Sequence, residues 1–200
     1  MYHLISGLWN ECVQKNNEYN VLILGLDNAG KSTFLESIKK RFSKGYRGMD
    51  LKYIPPTIGL NLGEIVTDKI RLNFFDLGGQ RDLQHLWKKY YDGVHGIIYV
   101  IDSSDRVRIQ ESKELFVNML KNEKTNRIPL VIVANKQDIE ESIRIKEIMM
   151  EFDDYSLVGS RDCRTIAVSG LTGDGIDDAI KWLSESVKRH SVVKPAMNKK

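Results

Sequence analysis

The sequence predicts an α/β domain whose six-stranded, mostly parallel sheet carries helices on both faces. Three observations predict it. Strand-sized apolar runs alternate with helix-sized stretches along the chain. Five of the six runs are rich in Ile, Val, Leu and aromatics without strict alternation, as expected of strands covered on both sides. The first run passes into a glycine-bearing turn and then into a helical pattern.

The strand runs are residues 21–25, 60–66, 70–75, 96–101, 130–134 and 165–169. Helical patterns occupy 31–42, roughly 83–91, 107–121, 143–152 and 176–189. Only Thr67, Asp68 and Lys69 separate the second and third runs, so these two form an antiparallel hairpin. The remaining connections are long enough for helical crossovers between parallel strands.

Composition bounds the function. The 200 residues are 42% hydrophobic and 28% charged, which suits one globular domain. Lys plus Arg number 30 and Asp plus Glu 27, a balance of +3, too mild to call for nucleic acid. Cys12 and Cys163 cannot build a disulfide framework or a zinc site alone. No apolar run approaches the ~18 residues of a membrane span. The N-terminus lacks the basic and long apolar regions of a secretory signal. The expectation is a cytoplasmic, monomeric domain with no nucleic acid among its partners.

Residues 25–32, Gly-Leu-Asp-Asn-Ala-Gly-Lys-Ser, follow the first strand and precede the first helix. This is G-x-x-x-x-G-K-[ST] in the context the phosphate-binding P-loop requires, which makes the fold that of a P-loop NTPase. Gly25 and Gly30 let the backbone turn so that amides converge on phosphate oxygens. The helix N-terminus adds its dipole. Asp27, Asn28, Ala29, Gly30, Lys31, Ser32 and Thr33 are the expected nucleotide contacts. Lys31 places a cation on the phosphates, and Ser32 offers a hydroxyl to Mg²⁺.

The base is chosen by Asn135-Lys136-Gln137-Asp138 at the end of the fifth run, where ligands bind in open α/β sheets. Asp138 can accept from both N1–H and the exocyclic amine of guanine, a donor pair that adenine lacks. Lys136 can lie along the base, and Asn135 can tie this loop to the phosphate loop. Asp76-Leu77-Gly78-Gly79-Gln80 ends the third run. Asp76 can hold Mg²⁺ through a water, Gly79 can offer an amide to the γ-phosphate, and Gln80 can orient the attacking water. Thr57, in Pro55-Pro56-Thr57-Ile58-Gly59, can close on Mg²⁺ when a γ-phosphate is present. The cofactors expected are therefore GTP or GDP with Mg²⁺, the metal residues Ser32, Thr57 and Asp76, and the catalytic residue Gln80.

In this order the motifs resemble the Arf family of small GTPases, together with Leu86-Trp87-Lys88-Lys89-Tyr90-Tyr91 and Asp102-Ser103-Ser104-Asp105-Arg106. The resemblance covers roughly residues 1–190. The start Met1-Tyr2, the longer segment 42–54 and His95-Gly96-Ile97-Ile98-Tyr99 resemble the family's Golgi-associated, Arf-related branch. The resemblance implies a GDP/GTP switch in vesicle traffic with mobile loops around Thr57 and Gln80, where exchange factor, GAP and effectors bind. It implies that the hairpin between these loops slides. It makes Leu60, Phe75 and Tyr90 an effector patch, and Ser169, Gly170 and Leu171 the loop that reaches guanine O6.

Residues 1–16 are expected to form an amphipathic helix, residues 17–190 the GTPase domain and residues 191–200 a disordered basic tail. On a helix, Met1, Tyr2, Leu4, Ile5, Leu8, Trp9, Cys12 and Val13 fill one side of residues 1–14. That face suits a membrane surface. The polar face has no Lys or Arg, and Tyr2 rules out N-myristoylation. A membrane-protein receptor or a modification of Met1 is therefore expected to help at the Golgi membrane.

No arginine lies immediately before Thr57. Unassisted switch GTPases turn over at about 10⁻⁴ s⁻¹, and a supplied arginine adds ~10³–10⁵-fold, so a GAP is expected to bring it in trans. Asp27 puts a carboxylate beside the phosphates and acts as a further brake. Two other classes stay open. A metabolic P-loop enzyme would favour ATP, and an adaptor would bind nucleotide with negligible hydrolysis.

Overall fold

The computed structural model describes residues 17–152, 158–159 and 161–193. The expected helix over residues 1–16 and residues 194–200 of the expected tail lie outside the described residues. The strands are β1 (Glu18–Leu24), β2 (Leu60–Thr67), β3 (Ile70–Leu77), β4 (Gly96–Asp102), β5 (Leu130–Asn135) and β6 (Cys163–Ala167). The helices are α1 (Lys31–Phe42), α2 (Arg81–Gln84), α3 (Ile109–Leu120), α4 (Ile145–Phe152) and α5 (Ile176–Val193).

The strands form one six-stranded sheet in the order β2-β3-β1-β4-β5-β6. β2 runs antiparallel to β3, and every other neighbouring pair is parallel. The C-terminal ends of β1, β3, β4 and β5 therefore lie along one edge, where the motif loops begin.

Alternate residues of the central strands feed two separate cores. Val21, Ile23, Leu72, Phe74, Ile98 and Val100 pack with Phe34, Leu35 and Ile38 of α1 and with Ile180 and Leu183 of α5. Leu22, Leu24, Phe75, Tyr99 and Ile101 pack with Trp87, Phe116 and Phe152 on the other face. There Phe116 meets Tyr99 and Phe152 edge to face, with ring centroids 4.9 and 5.4 Å apart. The central strands β1, β4 and β5 bury both faces, which is why their sequences show no polar alternation.

β1 begins three residues earlier than expected and β6 lies two residues earlier. Four helix boundaries differ by two residues or more, each for a visible reason. The stretch 83–91 is not one helix: α2 ends at Gln84, and a 3₁₀ turn follows at Trp87–Tyr90. The Trp87 indole is buried and donates Nε1–H to Gly78 O at 3.0 Å, which pins the chain back onto the preceding loop. α3 starts at Ile109 because Asp105 Oδ1 accepts from Arg108 N at 3.1 Å and holds the preceding residues in a turn. Ile143 N donates to Ser103 O at 2.7 Å, so α4 starts only at Ile145. α5 continues past residue 189 to Val193, and Ser191 belongs to the helix rather than to a tail. Its hydroxyl lies 3.0 Å from Tyr19 Oη and donates to Lys188 O at 2.8 Å.

The chain between α1 and β2 climbs along α1 and is anchored by one buried carboxylate. Tyr46 donates its hydroxyl to Glu36 Oε2 at 2.9 Å, and Met49 N reaches the same oxygen at 3.4 Å. Lys39 pairs with Glu36 and lies 4.9 Å from the Tyr46 ring centroid. Burial raises the Glu36 pKa, but the bonds from Lys39, Tyr46 and Met49 outweigh it and hold the carboxyl below its usual value. Beyond this anchor the segment delivers Thr57 to the edge of the sheet where the phosphate loop lies. Among the described residues, no helix is long and apolar enough to cross a membrane.

Candidate nucleotide site

The phosphate loop leaves β1 at Gly25, whose φ is +140°. A Cβ there would stand 2.2 Å from Val100 O, so only glycine lets the loop pass so close to β4. Lys31, on the first turn of α1, is buried and donates Nζ–H to Leu26 O at 2.6 Å. Burial lowers its pKa to about 8, against the opposing pull of Asp76 and Asp27.

A cleft of about 210 Å³ opens over this loop. Asp27, Asn28, Gly30, Lys31, Ser32 and Thr33 line one side, Ile54 to Thr57 another, and Gly79 with Gln80 a third. The structure thus brings three of the sequence motifs together around one space. Gly79 sits directly against the phosphate loop: a Cβ there would lie 2.4 Å from Asp27 N and 2.5 Å from Gly25 O. Gln80 is exposed at the rim, immediately before α2.

Three side-chain oxygens converge at the floor. Ser32 Oγ donates to Asp76 Oδ2 at 2.6 Å and lies 2.6 Å from Thr57 Oγ1. Thr57 Oγ1 lies 3.3 Å from Asp76 Oδ2, and Asn61 Nδ2 donates to that oxygen at 3.4 Å. Asp76 is 0% exposed, and its Oδ1 has no hydrogen-bond partner among the described residues. Burial raises its pKa despite the Ser32 hydrogen bond and the nearby Lys31 charge. Asn61 joins the cluster because β2 pairs with β3 in the register Asn61↔Asp76. Only that register gives Asn61 its place in the cluster.

The two loops expected to read the base, at residues 135–138 and 169–171, meet the phosphate loop through one side chain. Asn135 Nδ2 donates to Ala29 O at 2.8 Å, and Asn135 Oδ1 accepts from Gly170 N at 2.9 Å. A Cβ at Gly170 would come within 3.3 Å of Phe34 N, so glycine lets this loop lie close on α1. Ser169 is buried and its Oγ accepts from Thr172 N at 3.0 Å, while Leu171 and Asp138 are exposed. Lys136 has a φ of +63° and donates Nζ–H to Asp102 Oδ2 at 2.6 Å. Lys136, Asp138 and residues 169–171 do not line the phosphate cleft; they adjoin it through Asn135.

Two further placements depart from the sequence reading. Asp27 is not a lone carboxylate, since Arg108 Nη2 donates to its Oδ1 at 2.6 Å. Within the expected effector patch, Phe75 is buried, while Leu60 and Tyr90 are half-buried beside the second core.

The fold and this loop arrangement define a P-loop nucleotide-binding domain. The model of the ADP-ribosylation factor family, Arf, matches residues 5–187, and the chain belongs to this family of small GTPases, which are GTP hydrolases. It is 51% identical over 191 residues to ADP-ribosylation factor-related protein 1 of Bos taurus, covering 95% of this chain and 94% of that protein. Identity to the Homo sapiens protein of that name is 50% over the same shares. ADP-ribosylation factor-like protein 3 of Saccharomyces cerevisiae is 39% identical over the whole of both chains. Among solved structures, the Arl6 BBS3 small GTPase of Trypanosoma brucei, with bound GppNp, superposes with a TM-score of 0.76 at 30% identity. That match covers 86% of this chain and 98% of the other.

Proposed function

We propose that this GTPase works as a Mg²⁺-dependent guanine-nucleotide switch, with slow hydrolysis accelerated by a GAP and with output at the Golgi membrane. The observation that carries the reading is the meeting of Ser32, Thr57 and Asp76 beside Gly79 and Lys31. Three elements far apart in sequence supply these groups, so the site is complete only when the Thr57 and Gln80 loops close together on the phosphate loop.

The donor set fits a hard divalent cation. It consists of oxygens, and one of them, Asp76 Oδ1, is buried without a hydrogen-bond partner among the described residues. Bound there, Mg²⁺ would offset charge on the nucleotide phosphates. The protein's own groups do the rest. Lys31 and the phosphate-loop amides hold the phosphates, and Gly79 brings an amide to the terminal phosphate. Gln80, exposed at the rim, orients the attacking water. Asp138 and Lys136 read guanine, and Asn135 fixes their loop to the phosphate loop. Closure of the Thr57 and Gln80 loops creates the surface for effectors. Residues 1–14 supply the membrane contact, aided by a membrane-protein receptor. The resemblance of Met1-Tyr2, segment 42–54 and residues 95–99 to the Arf-related branch is what favours the Golgi placement.

Fluorescent GDP and a GTP analogue, with ATP as competitor, test the reading. Wild-type protein binds both guanine nucleotides and ignores ATP, and Ser32→Asn weakens Mg²⁺-dependent binding. Displacement by ATP, or undiminished binding in Ser32→Asn, overturns it. GTP turnover that no cell extract accelerates would move the assignment to a non-hydrolysing adaptor.

A further inference from the structure

Asp27 is the one acidic residue of the phosphate loop, residues 25–32. It lines the cleft, so its charge stands beside the place where phosphate charge accumulates. Left alone, it would repel every nucleotide. It is not alone: Arg108, immediately before α3, donates Nη2–H to Asp27 Oδ1 at 2.6 Å and Nε–H to Glu111 Oε2 at 2.8 Å. The contact joins residues 81 positions apart and lies over a small hollow lined by Asp102 and Asp105 as well. Neither side chain is fully exposed, at 31% for Arg108 and 46% for Asp27. Hydrogen bonds to Glu111 and Asp27 raise the guanidinium pKa above its ordinary value. Both charges reach the buried phosphate-site lysine: Asp27 raises the Lys31 pKa and Arg108 lowers it.

We infer that Arg108 is a specificity-positioning residue that, by neutralising Asp27, sets how well the site accepts a nucleoside triphosphate relative to the diphosphate. The inference rests on the nucleotide reading above. Its sign follows from Coulomb's law. An uncompensated carboxylate repels both nucleotides, but the γ-phosphate adds charge, so the triphosphate suffers more. The bond between Asp27 and Arg108 therefore removes a bias toward the diphosphate that the phosphate loop would otherwise carry. It also assigns a role to Arg108 at the start of α3.

The experiment uses the full chain, with fluorescent GDP and a non-hydrolysable GTP analogue titrated into wild type, Arg108→Ala, Arg108→Gln, Arg108→Lys, Asp27→Asn and the Asp27→Asn/Arg108→Ala double variant. Arg108→Ala and Arg108→Gln should lose analogue affinity about 3–10-fold beyond their loss for GDP. Arg108→Lys, which keeps the charge, should stay near wild type. The double variant should recover the wild-type ratio, because no unpaired carboxylate remains. Raising the salt should shrink the Arg108→Ala effect. A scaffold role would weaken both nucleotides alike, and the double variant would then match Arg108→Ala; either result overturns the inference. Wild-type protein that binds neither nucleotide overturns the reading beneath it instead.

Discussion

Trp87 Nε1 donates to the carbonyl oxygen of Gly78 at 3.0 Å. This bond fastens a buried ring of the second core to the backbone between Asp76 and Gln80. The loop that carries Gln80 is thereby anchored in the interior at Gly78, while Gln80 itself stands exposed at the rim. Trp87→Phe keeps an aromatic ring but leaves the Gly78 carbonyl without this donor, at a cost of about 1–3 kcal/mol. Denaturant melts of the GDP-loaded protein should show that loss, together with slower GTP turnover from a less well-placed Gln80.

Gly79→Ala should separate the two nucleotide states. Its Cβ would stand 2.4 Å from Asp27 N and 2.5 Å from Gly25 O, and backbone atoms cannot yield as a side chain can. The loop must lift away from the phosphate loop. GTP turnover should fall about 10²-fold, the scale of a 1 Å misplacement, while GDP affinity changes far less. Single-turnover hydrolysis alongside GDP titration measures both.

Gln80→Leu should act on chemistry and spare binding. The side chain is exposed at the cleft rim, and the described hydrogen bonds of the phosphate loop do not depend on it. Hydrolysis should fall by about 10²-fold or more, while the affinities for GDP and the GTP analogue stay near wild type. An equal loss of affinity would show that Gln80 holds nucleotide rather than water.

Glu36 should give the segment after α1 an acid-sensitive anchor. Its folded pKa lies below 4.5, its unfolded value. A depressed carboxylate contributes stability that is complete above the unfolded pKa and lost as pH falls through the folded one. The segment 43–54 should therefore become easier to cleave by an acid-active protease as pH drops below 4.5. Glu36→Gln should already be cleaved readily at neutral pH by a neutral-active protease that wild type resists. Its melting should report a cost of about 1–3 kcal/mol for the broken network.

Legibility followed the range of the interactions. Residues 25–32 could be read directly because strand, glycine turn, lysine and helix N-terminus are contiguous, and their chemistry is local. The sheet was legible because Val21, Ile98 and Val131 lie in apolar runs without polar alternation. The 3₁₀ turn at Trp87–Tyr90 was not, since the hydrogen bond that pins it joins a side chain to the backbone of the loop nine residues earlier. Asn61 needed a strand register, and the Arg108 contact with Asp27 needed the return of the chain after β4. Glu36 resembled any polar residue on a helix until the segment beyond α1 closed over it. The amphipathic pattern of residues 1–14 is clear in sequence, and its structural test lies outside the described residues.

The two-faced core constrains how the β2–β3 hairpin could travel. Leu72 and Phe74 belong to one core and Phe75 and Leu77 to the other, while β3 lies beside β1 with Val21↔Phe74 and Leu22↔Phe75 in register. A shift by one residue would turn each of these side chains into the wrong compartment and put Asn73 where an apolar neighbour belongs. A shift by two would restore every facing. Any slide of the hairpin along β1 would therefore come in strides of about 6.6 Å, with no comfortable halfway point. β2 buries only Ile65 and, among the described residues, has no strand beyond it to drag. Parity of the pleat would make the movement behave as a detent with two resting places, so that a gradual change in nucleotide occupancy would be delivered as a discrete step.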